Sequence, residues 1–485
     1  MSLFQPHTSN PMEFSAKKLW LLGLLSAAIY GVNFHIGDFL VRIGVIDATP
    51  HPIQSYLLQV LPLGLLYLWA VRITGRAQKA SGRPLVPILL FAFLFRLPLV
   101  PLEGTLSTDI YRYLWEGKIQ VTAGMNPYNH PPSDERLFLL RDQAIYPHIN
   151  RKEAPTIYPA GAQILFAVAH WFGADTPQEL KALALAADAV TLLFLLLILR
   201  QLQLPLSQVV IYAWNPLLIY ELFYNGHLES FVLPPLLGFI YFFLRGHAVA
   251  GSAALGLAAA VKLVPAFLLA TIPRERRFKA ALPFVFVIAL SYVVYLEAGT
   301  NVVGFLPSYF SDPREIFNLG LLQLALLKVA NSLALPAPWI RFVLFCFLLA
   351  VLLVIAYRPH ESPADLVQKS YAVLGAYLFL IYPAFHPWYI IPLISLLCFV
   401  RSRAWLCFSL LLPLSYLKYL APDQVMPTWV TLAQYVPLYT LLAFESVGIK
   451  RFRKVPDGPA SLRHARAGGH PVSSYPSSGF PLSRE

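Results

Sequence analysis

Long apolar runs separated by short polar stretches dominate this chain. One extends from Leu19 to Phe34 behind Lys17 and Lys18. Others fall at 53–71, 84–101, 180–199, 208–223, 228–244, 281–297, 338–357, 370–384, 388–400, 404–420 and 428–447. Many approach the roughly 20 residues that a helix needs to cross the hydrocarbon core. Leu, Phe, Ala, Val and Ile fill them. Inside lipid each backbone N–H and C=O must pair within its own segment, so such spans are helices. The pattern predicts an all-α polytopic membrane protein of about 11–14 transmembrane helices. The first run, with no small-residue cleavage site behind it, reads as a signal anchor.

Composition agrees. Hydrophobic residues make up 57% of the chain and charged residues 13%, against about 25% charged in a soluble domain. Mean hydropathy is +0.59. Cys346, Cys398 and Cys407 all lie in apolar runs without metal-ligand spacing and read as small core residues. The net charge of +12 does not point to nucleic acid, because no basic soluble surface exists to bind it. The basic residues cluster beside spans instead: Arg72, Arg76, Lys79 and Arg83; Arg274, Arg276, Arg277 and Lys279; Arg401 and Arg403; Lys450, Arg451, Arg453 and Lys454. Such clusters mark the cytoplasmic side. Counting spans from them puts residues 101–157 outside.

Two stretches leave the count open. Residues 158–173 are apolar but short, and either cross or lie along the surface as a juxtamembrane helix. Residues 248–273 lie between Arg245 and Arg274 and are broken by Lys262-Leu263-Val264-Pro265. We prefer a re-entrant pair of half-helices with Lys262 at its outer tip, with 158–173 not crossing. If both stretches cross, Arg200 and Arg245 fall outside. The layout is then a transmembrane domain over 1–450, with a first outer region at 101–178 and a second outer loop at 298–337. The tail 451–485 is rich in Pro, Gly, Ser, Arg and His without periodicity, and reads as a disordered, basic, cytoplasmic segment.

The first outer loop carries the candidate chemistry. Of 25 acids in the chain, seven fall in residues 101–157, among Tyr, Trp, Arg and Asn. Ser107 or Thr108 can cap a helix whose first turn holds Asp109, and Gly124 before Asn126-Pro127 supplies a stop. A helix over 109–123 puts Asp109, Arg112, Tyr113 and Glu116 on one face. An Arg beside a carboxylate favours its charged form, which suits a general base and equally a plain salt bridge.

The run Thr108-Asp109-Ile110-Tyr111-Arg112-Tyr113-Leu114-Trp115-Glu116-Gly117-Lys118, followed by Asn126-Pro127-Tyr128, resembles the first outer loop of bacterial GT-C membrane glycosyltransferases of the mannosyltransferase type. The resemblance continues in order through Thr156-Ile157-Tyr158-Pro159, Trp214-Asn215-Pro216-Leu217, Gly226-His227-Leu228-Glu229, Val261-Lys262-Leu263-Val264-Pro265, Phe317-Asn318 and His386-Pro387-Trp388-Tyr389. It implies a GT-C-like helical bundle with juxtamembrane helices in the first outer loop. It also implies transfer of a hexose such as mannose from a polyprenyl-phosphate donor to a glycan or glycolipid acceptor. The reaction would take place at the periplasmic face of a bacterial inner membrane.

The resemblance assigns Asp109 as the catalytic base. It gives acceptor or sugar contacts to Glu116, Tyr113, Tyr128, His227, Glu229, His386 and Trp388. Arg112, Lys262 and Arg96 are the candidates for the lipid phosphate. Family members usually carry an acidic pair here, but Thr108 and Tyr111 occupy the positions where a second Asp often stands. A divalent cation therefore lacks the paired-acid motif that would support it. Glu116 and Glu229 replace the more frequent Asp. A phosphate leaves without being protonated, whereas glycoside hydrolysis needs an acid at the leaving oxygen, so one base suffices. Simpler readings stand beside these. Lys262 and Arg96 suit snorkelling, Trp115, Trp214 and Trp388 suit an aromatic belt, and Asp188 suits a packing network. Glu221, inside a span, must face an interior partner. A carbohydrate or polyprenol-linked sugar transporter is the alternative function, and a non-catalytic assembly partner is the third.

Overall fold

The computed structural model describes residues 11–32, 35–45, 51–76, 84–336 and 338–449. Lys79, Arg83, the Lys450 cluster and the tail 451–485 lie outside these residues. Regular structure among the described residues is helical, and the β contact it contains is an isolated bridge between Phe317 and Ala384.

Among the described residues, three helices, Pro52–Gly75, Pro177–Gln201 and Pro338–Tyr357, are each long and apolar enough to cross a bilayer unbroken, and two bent pairs raise the number to five if each is one span. Other expected spans appear as shorter apolar helices of 10–17 residues, such as Leu85–Arg96, Glu229–Leu244 and Ala248–Val261. The reason is local chemistry at the breaks. The run 208–223 is interrupted at Trp214, where Asn215 caps a new helix, Pro216–Phe223, by accepting from the Leu218 N–H at 3.2 Å. The Ala248–Val261 helix ends at Lys262 in extended conformation, and a 3-10 helix, Val264–Thr271, follows. Proline inside or opening a helix removes a backbone donor, and neighbouring helices then have to satisfy the freed groups.

Helix packing relies on small residues where no hydrophobic drive exists between spans. The Ala-rich Ala248–Val261 helix lies against Arg274–Val293, with the Phe284 carbonyl oxygen 3.0 Å from where a Cβ on Gly256 would sit. Elsewhere, polar groups lock helices together. Arg96, 1% exposed, donates to Asp188 at 2.8 Å and to the Ala92 and Ala213 carbonyls, and Tyr212 donates to the other Asp188 oxygen. This joins Leu85–Arg96, Pro177–Gln201 and the segment before Trp214, so Asp188 is the network residue expected.

Two core expectations change. Cys398 is buried, but Cys346 faces outward from Pro338–Tyr357. Trp115 and Trp214 form neither belt nor open stacking surface. Both are buried, Trp214 donating to the Ile88 carbonyl and Trp115 packing on Tyr146.

Helix directions share one polarity. Pro52–Arg76 starts beside a large cavity at Ile53 and carries Arg72 near its far end. Glu229–Leu244 starts at the cavity and is followed by Arg245. Ala248–Val261 then returns to the cavity, where Lys262, Val264 and Phe267 line the wall, before the chain reaches Arg274. Pro338–Tyr357 begins at the cavity with Arg341 and ends where Arg277 donates to the Ala356 carbonyl.

Candidate functional site

The Asp109–Ala123 helix has the expected ends. Gly124 takes the left-handed conformation at φ +63°, and the Met125 N–H reaches back to the Ile119 carbonyl. At the other end the cap is Ser107, whose Oγ accepts from the Asp109 N–H at 3.3 Å, while Thr108 makes no side-chain cap. The face holding Asp109, Arg112, Tyr113 and Glu116 then divides. Asp109 and Tyr113 line the cavity of about 1240 Å³, and Arg112 and Glu116 do not.

Arg112 does not pair with Asp109. Its Nε donates to Glu116, and its other nitrogens donate to the carbonyls of Asn150, Arg151 and Ala154. Glu116 in turn accepts from Thr156 Oγ1 at 2.8 Å and from the Gln163 amide. Both side chains are buried. One helical turn places Arg112 as near Glu116 as Asp109, and the loop carbonyls decide between them.

Asp109 is held differently. Its Oδ1 accepts from Asn150 Nδ2 at 3.0 Å, and its Oδ2 lies 3.8 Å from His227 Nδ1. On the other side of that buried imidazole, Nε2 lies 3.3 Å from Glu221 Oε2. Glu221, the buried span carboxylate, also accepts from Tyr416 and Asn225. The result is a carboxylate–imidazole–carboxylate line running from the cavity into the bundle.

Aromatic rings continue that line. His227 stacks on Trp388 at 3.7 Å, Trp388 on His386 at 4.5 Å, and His386 on Phe317 at 4.7 Å. Trp388 and His386 both line the cavity, and Trp388 is stacked against the two imidazoles. Burial, reinforced by the nearby ammonium groups of Lys262 and Lys418, pushes the His386 imidazole down to about 3. It is neutral at physiological pH.

Of the other expected site residues, Glu229 and Lys262 line the cavity as an ion pair, with the ammonium 4.4 Å from the centre of the Tyr389 ring. Tyr128 stands away from the cavity, donating to the Tyr158 carbonyl and packing on Tyr295. Arg96 is in the buried network with Asp188. Neither Arg96 nor Arg112 reaches the cavity wall.

The 298–337 loop closes over the site. Gly304, at φ +52°, allows Phe305 to donate to the Thr156 carbonyl, since a Cβ on Gly304 would lie 1.8 Å from that oxygen. Tyr309 and Glu315 then line the cavity, and Arg151 bridges the two loops by pairing with Glu315 and with Asp312 at 3.5 Å. Burial raises the Glu315 carboxyl above its ordinary value against the pull of Arg151. Asn150, Arg151, Tyr309, Arg341 and Lys418 were not among the sequence candidates. Their contacts are long-range, and no local motif marks them. Among the described residues no group of three or more His, Cys, Asp or Glu is placed to hold a metal ion.

Comparison with known proteins agrees with the resemblance. No curated protein and no solved structure gives a match. Residues 21–273, just over half of the chain and spanning Asp109, His227, Glu229 and Lys262, match the family model described as alpha-(1->6)-mannopyranosyltransferase, N-terminal domain (MptA_B family). The chain belongs to this mannopyranosyltransferase family.

Proposed function

We propose that the protein is a GT-C-type membrane mannosyltransferase. It moves a mannosyl residue from a polyprenyl-phosphate donor to a hydroxyl of a glycan or glycolipid acceptor, with inversion. The observation that carries the reading is the state of Asp109. Among the described residues, it is the one carboxylate lining the cavity without a Lys or Arg ion-pair partner, since Glu229 pairs with Lys262 and Glu315 with Arg151. A base has to be free to take a proton, and Asn150 orients this one.

In the reaction, the acceptor oxygen attacks the anomeric carbon opposite the phosphate and a new C–O bond forms. The bond to the phosphate oxygen breaks, and that oxygen keeps the electron pair. The hydroxyl proton passes to Asp109. Inversion to an α-linked product requires a β-linked donor. His227, between Asp109 and Glu221, acts as a positioning residue behind the base. Purified protein in vesicles is expected to transfer mannose from a prenyl-phosphate donor and not from a soluble nucleotide sugar. Transfer from the nucleotide sugar alone would overturn the donor assignment.

The active site is read as facing the periplasm. What supports this is the shared polarity of the helices, with Arg72, Arg245 and Arg277 at ends away from the cavity. The break at Lys262 behaves as the tip of a re-entrant pair in the same frame, and Ala160–Trp171 lies along the first loop helix as a juxtamembrane element. Reporter fusions after Ser133 and after Gly246 are expected to report opposite sides of the membrane, with Ser133 outside. Both on one side would remove this topology.

A further inference from the structure

Among the described residues, five cationic side chains line the cavity: Arg151, Lys262, Arg314, Arg341 and Lys418. Three are already neutralised, Arg151 by Glu315, Lys262 by Glu229, and Arg314 by Asp312 at 2.7 Å. Arg341 makes no ion pair with a carboxylate among the described residues. Lys418 donates to the Ile316 carbonyl at 2.7 Å and lies over the Phe317 ring, which leaves two of its three ammonium protons for another acceptor. Once internal pairs are set aside, the wall presents one carboxylate, Asp109, and two uncompensated cations.

Arg341 also has a distinctive position. It is in the first turn of Pro338–Tyr357, and Leu344, Phe345 and Leu348 follow it at helical spacing on the same cavity-facing stripe. Phe345 is 58% exposed, and Leu263, which also lines the cavity at the Lys262 break, is 49% exposed. A guanidinium above an apolar, partly open helix face fits an amphipathic anion. Its phosphate would meet planar N–H donors, and its chain would run down toward the bilayer interior.

We infer that Arg341, assisted by Lys418, binds the phosphate of the lipid donor, and that the Leu344–Phe345–Leu348 face receives the first part of its prenyl chain. This rests on the lipid-phosphate reading above. It replaces Arg96, Arg112 and Lys262 as phosphate ligands, because each of these is committed to a carboxylate. Both residues lie beyond the stretch that the family model matches.

The test is direct binding of a long-chain prenyl phosphate to the purified protein in vesicles, measured in the Asp109→Asn background so that no turnover intervenes. Arg341→Gln is expected to weaken binding at least about tenfold, the low end for a hydrogen bond to a charged group. Arg341→Lys should recover part of it. The matching prenyl alcohol, which lacks the phosphate, should bind Arg341→Gln as it binds the parent, which also shows that the variant is folded. Phe345→Ala should narrow the preference for a long-chain over a short-chain prenyl phosphate. Unchanged prenyl-phosphate affinity in Arg341→Gln would overturn the assignment while leaving the donor reading intact. No prenyl-phosphate binding by the parent would remove the donor reading itself. Inorganic phosphate binding as tightly as the lipid, with the same dependence on Arg341, would make this a free-phosphate site and overturn the lipid assignment.

Discussion

Asp109→Asn is expected to cut turnover at least about a hundredfold, the lower end of general-base effects, with expression and donor binding at the level of the unsubstituted protein. The substitution keeps the size of the side chain and its carbonyl oxygen, so the contact from Asn150 Nδ2 to Oδ1 survives. It removes the second carboxylate oxygen, the one facing His227 Nδ1. The basic lone pair needed for the acceptor proton goes with it. Asp109 is partly exposed and carries no Lys or Arg partner, so the change strands no buried cation. Single-turnover transfer from a prenyl-phosphate donor, with binding measured separately, checks this. Normal turnover in Asp109→Asn would remove Asp109 as the base, whereas no transfer by the unsubstituted protein would move the transporter or assembly-partner reading ahead of the enzyme.

Local chemistry was legible in the chain, and long-range partnership was not. Ser107, Gly124 and Asn126-Pro127 announce the bounds of the Asp109–Ala123 helix because capping and left-handed glycine act within a few residues. Lys262-Leu263-Val264-Pro265 announces its break for the same reason. Periodicity also places Arg112 and Glu116 on the Asp109 face, but it cannot say which carboxylate the guanidinium chooses. That choice is made by the carbonyls of residues 150–154, brought in by a loop some forty positions away. The pairing of Lys262 with Glu229 and the isolation of Arg341 likewise depend on elements meeting in space. Spans such as 208–223 look continuous in hydropathy because Trp, Asn and Pro interrupt backbone geometry without lowering apolarity much.

Glu116→Gln is the substitution expected to cost most in stability, roughly 3–5 kcal/mol, because it breaks a buried ion pair and leaves Arg112 as an uncompensated buried charge. Glu116 uses one oxygen for Arg112 and the other for Thr156 and Gln163. An amide in its place must turn its NH₂ toward one of these donors, so at least one contact becomes donor against donor. The consequence travels to the site. Arg112 holds the carbonyls of Asn150 and Arg151, Asn150 holds Asp109, and Arg151 holds Glu315 of the 298–337 loop. Loosening Arg112 therefore loosens the base and the roof of the cavity together. The variant should unfold at lower temperature in detergent, and a protease should cut within 150–154. Its activity should fall in step with the folded fraction. A Glu116→Gln protein that is as stable and protease-resistant as the parent but cannot turn over would reverse the assignment, making Glu116 the catalytic carboxylate and Asp109 its support.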